Sequence, residues 1–131
     1  MIQAQLITHN QLKKMKNLKE LVAEKNEMIT KGQILEAIEK FFAADARTVD
    51  FTGRKANSKQ EAIDGQKKTV ELIQKVNEIS VHRVGVGDDV TFAEFIFDLD
   101  MKDGTKIYWH EIIYSVWKNG KIVFEEYYKG L

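Results

Sequence analysis

The last third of the chain dictates most about its fold. Val90 to Leu99, Lys106 to Trp117 and Lys121 to Tyr128 read as three long strands, joined at Asp103-Gly104 and Asn119-Gly120. Both joints carry a glycine where a tight hairpin needs a left-handed residue, so the three segments form an antiparallel meander. The middle strand, KIYWHEIIYSVW, places Trp109, Glu111, Ile113, Ser115 and Trp117 on one face. Tyr108, His110, Ile112, Tyr114 and Val116 lie on the other. A strand with one solvated face alternates cleanly between apolar and polar residues, and this one does not. Both of its faces are therefore expected to be covered, one by the chain's own helices and the other by a second copy of the protein.

Upstream, the period changes from two to about 3.6. Leu12, Met15, Leu18, Val22, Met28 and Ile29 recur at helical steps from Asn10 onward, with lysines and glutamates between them, until Gly32 interrupts. A second helix carries Ile34, Leu35, Ile38, Phe41 and Phe42 and is expected to end at residues 43–46. Residues 47–51 read as a short strand. Ser58 and Glu61 make a capping box that starts a third helix, expected to run to Val76 with Ile63, Val70 and Ile73 inward. Residues 78–86 then open the sheet. Helices gathered before a meander define an α+β architecture with the helices on one sheet face.

At 131 residues and 44% hydrophobic, the chain suits a single domain over residues 1–131 with a real core. Twenty basic residues balance twenty acidic ones, so no overall field draws the protein onto nucleic acid or an anionic membrane. The aromatic residues have no basic groove beside them for base stacking, and Gly85-Val86-Gly87 lacks the spacing and the following helix of a phosphate loop. Cysteine is absent, which removes disulfides, thiol nucleophiles and thiolate zinc sites. With no export leader and no long apolar run, a soluble cytoplasmic protein without cofactor is expected.

The segments ILEAIEKFFAADARTVDF and DGTKIYWHEIIYSVWKNGKIVFEEYY, with the helix between them, resemble the SnoaL-like branch of the nuclear transport factor two-like superfamily. The likeness extends over roughly residues 10–128, and WKNGKIV is its most specific element. It implies a curved, mostly antiparallel sheet wrapped by three helices into a cone with an internal pocket, and dimerisation through the outer sheet face. The superfamily's isomerases carry a tyrosine donor on an early helix, and residues 1–45 here contain none. Its cyclases are expected to use an aspartate and a histidine where this chain has Glu111, Glu125 and Tyr127.

Strand register decides which residues enter the pocket, because a slip of one residue reverses every side chain. A two-residue Asn119-Gly120 turn sets Glu111 opposite Tyr128. A three-residue loop with a bulge sets Trp117 opposite Lys121, Glu111 opposite Tyr127 and Glu125 opposite Ile113. The bulged loop is preferred, and the superfamily's pocket positions match Glu125 and Tyr127. The same loop at Asp103-Gly104 sets Phe97 opposite Trp109, Phe95 opposite Glu111 and Ala93 opposite Ile113. The expected inner face is then Ala93, Phe95 and Phe97 on one strand, Trp109, Glu111, Ile113 and Ser115 on the next, and Val123, Glu125 and Tyr127 on the last. Such a surface suits a small apolar or aromatic ligand held by a few polar groups.

Glu111 and Glu125 would be diagonal neighbours, ~7 to 8 Å apart at the backbone. Desolvation and mutual repulsion raise carboxyl pKa values, so the pair could hold one acid and one base near neutrality, with Tyr127 donating to a developing enolate. Alternatively the glutamates are solvated at the pocket mouth or paired with Arg47, Arg54 or Arg83. On the outer face, Tyr108, His110, Ile112, Tyr114 and Phe124 form the expected dimer surface. His110 lies there beside Glu94 and Asp98, a polar cluster rather than a metal site. Asp50 and Arg54 follow the short strand and sit near the rim of the cone.

Overall fold

The computed structural model describes residues 17–130. Helix α1, Leu18–Thr30, begins where Asn17 turns extended (φ −77°, ψ 169°) and its side chain accepts a hydrogen bond from the Glu20 amide at 2.9 Å. The helix start expected at Asn10, with Leu12 and Met15, lies outside the described residues. Gly32, at φ +80°, ends the helix, and the Gln33 amide folds back onto the Met28 carbonyl at 2.9 Å. Helix α2, Ile34–Phe41, stops at Phe42, several residues before its expected end. From there the chain runs extended as β1, Phe42–Val49, because parallel pairing with the last strand overrides the local helical pattern.

A two-residue strand, β2 (Lys55–Ala56), pairs back onto β1, and helix α3 covers Lys59–Glu71. Ser58 Oγ accepts from the Glu61 amide at 3.1 Å, as the capping box requires, while the Glu61 carboxylate accepts from Asn57 rather than Ser58. Helix α3 ends five residues before its expected limit. Ile73 is instead the first residue of β3 (Ile73–Val86), opposite Met101, since pairing with β4 (Val90–Met101) extends the sheet into the presumed helix tail. Strands β5 (Lys106–Lys118) and β6 (Lys121–Lys129) complete the meander.

Among the described residues three helices thus pack on a six-stranded mixed sheet of order β2-β1-β6-β5-β4-β3, which does not close. Three register breaks between β3 and β4 bend that edge, as extra residues in one strand of a pair do. Val22 and Ile29 of α1 and Ala37, Ile38 and Phe41 of α2 meet Phe95, Leu99, Ile113, Trp117 and Ile122 of the sheet in one buried cluster. Trp117 closes it, edge-on to Phe41 at 6.0 Å, with its indole N–H donated to Thr91 at 2.9 Å.

The β4–β5 register is the expected one: Phe97 faces Trp109, Phe95 faces Glu111 and Ala93 faces Ile113. The β5–β6 register differs. Asn119 (φ +53°) and Gly120 (φ +77°) form a two-residue turn with Lys118 opposite Lys121. The extra residue lies further along, where Trp117 pairs with Ile122 but Val116 pairs with Phe124, leaving Val123 as the bulge. Glu125 is consequently opposite Ser115 and Tyr127 opposite Ile113, each two residues from the expected partner. A displacement of two preserves the face, so Glu125 and Tyr127 still point inward. Val123 does not: the bulge removes it from the inner row, and the fully buried Ile122 takes that place.

Candidate functional site

A cavity of about 90 Å³ lies between the helices and the inner sheet face. Lys25 and Ile29 of α1, Ile34, Ala37 and Ile38 of α2, and Gln66, Thr69 and Val70 of α3 form its helical side. Its sheet side comprises Ile73, Phe97, Leu99, Trp109, Glu111, Ile113, Glu125 and Tyr127. Of the residues expected there, Phe97, Trp109, Glu111, Ile113, Glu125 and Tyr127 border it. Ala93 and Phe95 are instead packed into the core, Phe95 stacked on Phe97 at 5.6 Å. Ser115 is buried behind the wall.

Ser115 is nevertheless part of the site, because it donates to Glu125 Oε2 at 2.6 Å. Tyr127 donates its phenol to Glu125 Oε1 at 2.5 Å, and Lys25 Nζ meets Oε2 at 2.9 Å. The Lys25 and Glu125 side chains are only 4% and 3% exposed, so this ion pair lies deep in the protein. Burial and the adjacent Glu125 push the Tyr127 phenol well above its ordinary range, keeping it a donor. Sequence reasoning missed Lys25, which was read among the solvated positions of α1. The available signal was its position on the apolar stripe, one helical step from both Val22 and Ile29.

Glu111 has a different environment. It lines the same cavity, yet among the described residues no hydrogen bond or ion pair holds its carboxylate. Burial, then repulsion by Glu125, lifts its pKa to about 7, with Lys25 partly opposing. The two carboxylates are therefore unequal, one held by a lysine and two hydroxyls and the other poised between its charged and neutral forms. None of Arg47, Arg54 and Arg83 takes the pairing role weighed for them: Arg47 is exposed, Arg54 pairs with Asp50 at 3.5 Å, and Arg83 pairs with Glu94.

Asp50 and Arg54 border a second cavity of about 250 Å³ that shares Ile38, Gln66 and Tyr127 with the first. Asp50 shapes the turn there, accepting from the Thr52 and Arg54 amides at 2.9 Å each. Phe51, from the same turn, packs edge-on against Trp109 at 5.6 Å. On the outer face, Glu94 accepts from Nε and Nη2 of Arg83, at 2.7 and 2.8 Å, and lies 2.7 Å from His110. Those bonds, Arg83 first, bring the Glu94 pKa down to about 2. Phe92, Tyr114 and Phe124 run across this face in successive ring contacts of 5.0 and 6.3 Å. Among the described residues no cluster of three or more His, Asp or Glu is arranged to hold a metal ion. No described helix is long and apolar enough to cross a membrane.

No family model matches the sequence, and no curated protein matches it. Solved structures match the fold. A protein from Mesorhizobium loti named as a SnoaL-like polyketide cyclase superimposes with a TM-score of 0.77 at 24% identity, over 86% of this chain and 99% of its own. An NTF2-like protein of unknown function from Burkholderia pseudomallei gives 0.74 at 15% identity, over 88% and 92%. A protein of ketosteroid isomerase-like fold from Catenulispora acidiphila, in complex with trimethylamine, gives 0.71 at 19%, over 86% of each chain.

Proposed function

For a chain with the SnoaL-like cone fold of the nuclear transport factor two-like superfamily, we propose a small-molecule-binding role, with the ligand held in the cavity between α1, α2, α3 and the inner sheet face. The observation that carries this reading is the cavity's composition: aliphatic and aromatic walls around one carboxylate that no protein group satisfies. A pocket of that kind holds an apolar body and orients it through a few polar contacts. At about 90 Å³ the cavity suits a small ligand. The trimethylamine complex of the Catenulispora protein supports a small ligand in this fold. The test is an NMR screen of small apolar compounds: binders should shift Trp109, Ile113 and Tyr127 together, and Ile113→Phe, which fills the space, should abolish the shifts. Shifts confined to the surface, or unchanged binding by Ile113→Phe, would overturn it.

The position of Glu111 favours a second reading, acid-base catalysis. A carboxyl with a pKa near 7 accepts and returns protons at neutral pH, and Glu111 borders the cavity beside Trp109 and Ile113, where a ligand would meet it. In this reading Glu111 abstracts a proton beside a ligand carbonyl. Exchange of the α-protons of cyclohexanone in deuterated water should then be accelerated by the wild type and not by Glu111→Gln.

The proposed assembly is a homodimer through the outer sheet face. Tyr108, 67% exposed, and Phe92, 45% exposed, support it together with half-buried His110, Ile112, Tyr114 and Phe124. A patch of this kind on a monomer would leave much aromatic surface in water.

A further inference from the structure

The charges around the cavity narrow its ligand class, an inference that rests on the ligand-binding reading. Only three charged side chains border the cavity among the described residues: Lys25, Glu111 and Glu125. Lys25 and Glu125 neutralise one another at 2.9 Å, and Ser115 and Tyr127 engage the same carboxylate. Glu111 is the remainder. It is faced by Glu125 and Tyr127 from β6, Lys25 from α1 and Asp50 from the turn after β1, while α3 contributes the uncharged Gln66 and Thr69. Lys129 is opposite Glu111 in the ladder, but its ammonium sits 5.7 Å over the Phe51 ring. Asp50 is engaged by Arg54 and the Thr52 hydroxyl. The cavity therefore carries one carboxylate more than it has cations to match.

We propose that the cavity takes a small apolar amine in its protonated form, with the ammonium paired to Glu111 beside the Trp109 ring and the hydrocarbon among Ile34, Ile38 and Ile113. An ammonium supplies the one charge this wall lacks, and Trp109, two residues from Glu111 on the same strand face, offers a ring against which a desolvated cation is stabilised. A neutral guest leaves Glu111 either ionised and unpaired or protonated. An anionic guest adds a second uncompensated charge. Because Glu111 is half protonated near pH 7, binding of an ammonium at that pH releases about half a proton.

Calorimetric titration of the whole chain with cyclohexylamine, and with cyclohexanol as the neutral probe of the same shape, tests this. At pH 8 the amine should bind at least tenfold more tightly than the alcohol. Its affinity should fall about tenfold by pH 6, as Glu111 goes from mostly ionised to mostly protonated. Titration at pH 7 in buffers of different ionisation enthalpy should show proton release. Glu111→Gln should lose the preference for the amine over the alcohol and the pH dependence of amine binding; if that variant does not fold, the wild-type proton release and pH dependence decide the matter. Equal or tighter binding of cyclohexanol at pH 8, or proton uptake with the amine, would overturn the amine assignment while leaving small-molecule binding intact. If neither probe binds, the amine assignment falls, and failure of the wider apolar screen as well removes the ligand-binding reading with it.

Discussion

At Glu111, folding and protonation are coupled. The carboxyl has an ordinary value of 4.5 and a folded value of about 7, so between those limits the folded chain binds more protons than the unfolded one. Stability therefore falls as pH rises through that window, and the full cost, on the order of 3 kcal/mol, is present above pH 7. Glu111→Gln removes the charge and the cost. It is expected to exceed wild-type stability by that amount at pH 8 and to match it near pH 4, measured by urea unfolding. Lys25 presents the opposite case, a buried charge whose partner is in place. Lys25→Met strands Glu125 and should destabilise by ~3 to 5 kcal/mol, whereas Lys25→Met with Glu125→Gln should recover most of the loss, since the amide can still bond Ser115 and Tyr127. Denaturant midpoints of the two variants measure the difference.

Among the elements, the β5–β6 hairpin does most to position the site. Its turn is regular and its bulge lies at Val123, so the strand enters with Ile122 inward and continues with Glu125 and Tyr127 inward. Deleting Val123 would restore an unbroken ladder in which Phe124 still follows opposite Val116, so Glu125 stays opposite Ser115 and Tyr127 opposite Ile113, both inward. The expected result is that the Lys25–Glu125 pair and the ligand-induced shifts at Trp109 survive, with stability changed by about 1 kcal/mol or less. A loss of more than ~3 kcal/mol, as a stranded Lys25 would give, or loss of the Trp109 shifts would mean that the strand does not keep this register without its bulge.

At the scale of the whole molecule, one sheet separates two unlike surfaces. The inner one is closed by helices over a cavity, and the outer one presents Tyr108, Ile112, Tyr114 and Phe124 around the Arg83–Glu94–His110 cluster. An aromatic face of this kind is the one the proposed dimer would cover. Sedimentation velocity at micromolar concentration should report a dimer, and Ile112→Lys should shift it toward monomer while leaving the thermal transition cooperative. A wild-type monomer under those conditions would remove the assembly proposal.

Much of this arrangement was legible before folding because it is periodic. The two-residue alternation of KIYWHEIIYSVW assigned both of its faces correctly, and even the misplaced bulge left Glu125 and Tyr127 on the proper side, since an error of two residues is invisible to a period of two. The ends of α2 and α3 were not legible: FAADARTV and the stretch from Ile73 became strands only because long-range pairing with β6 and β4 outweighed local pattern. Nor was the partner of Glu125. Lys25 is 100 residues away in the chain, and its helix must dock on the sheet before the two charges can meet. Alternation specifies which way a side chain points; what waits opposite depends on packing between distant segments, and that arises only in the folded molecule.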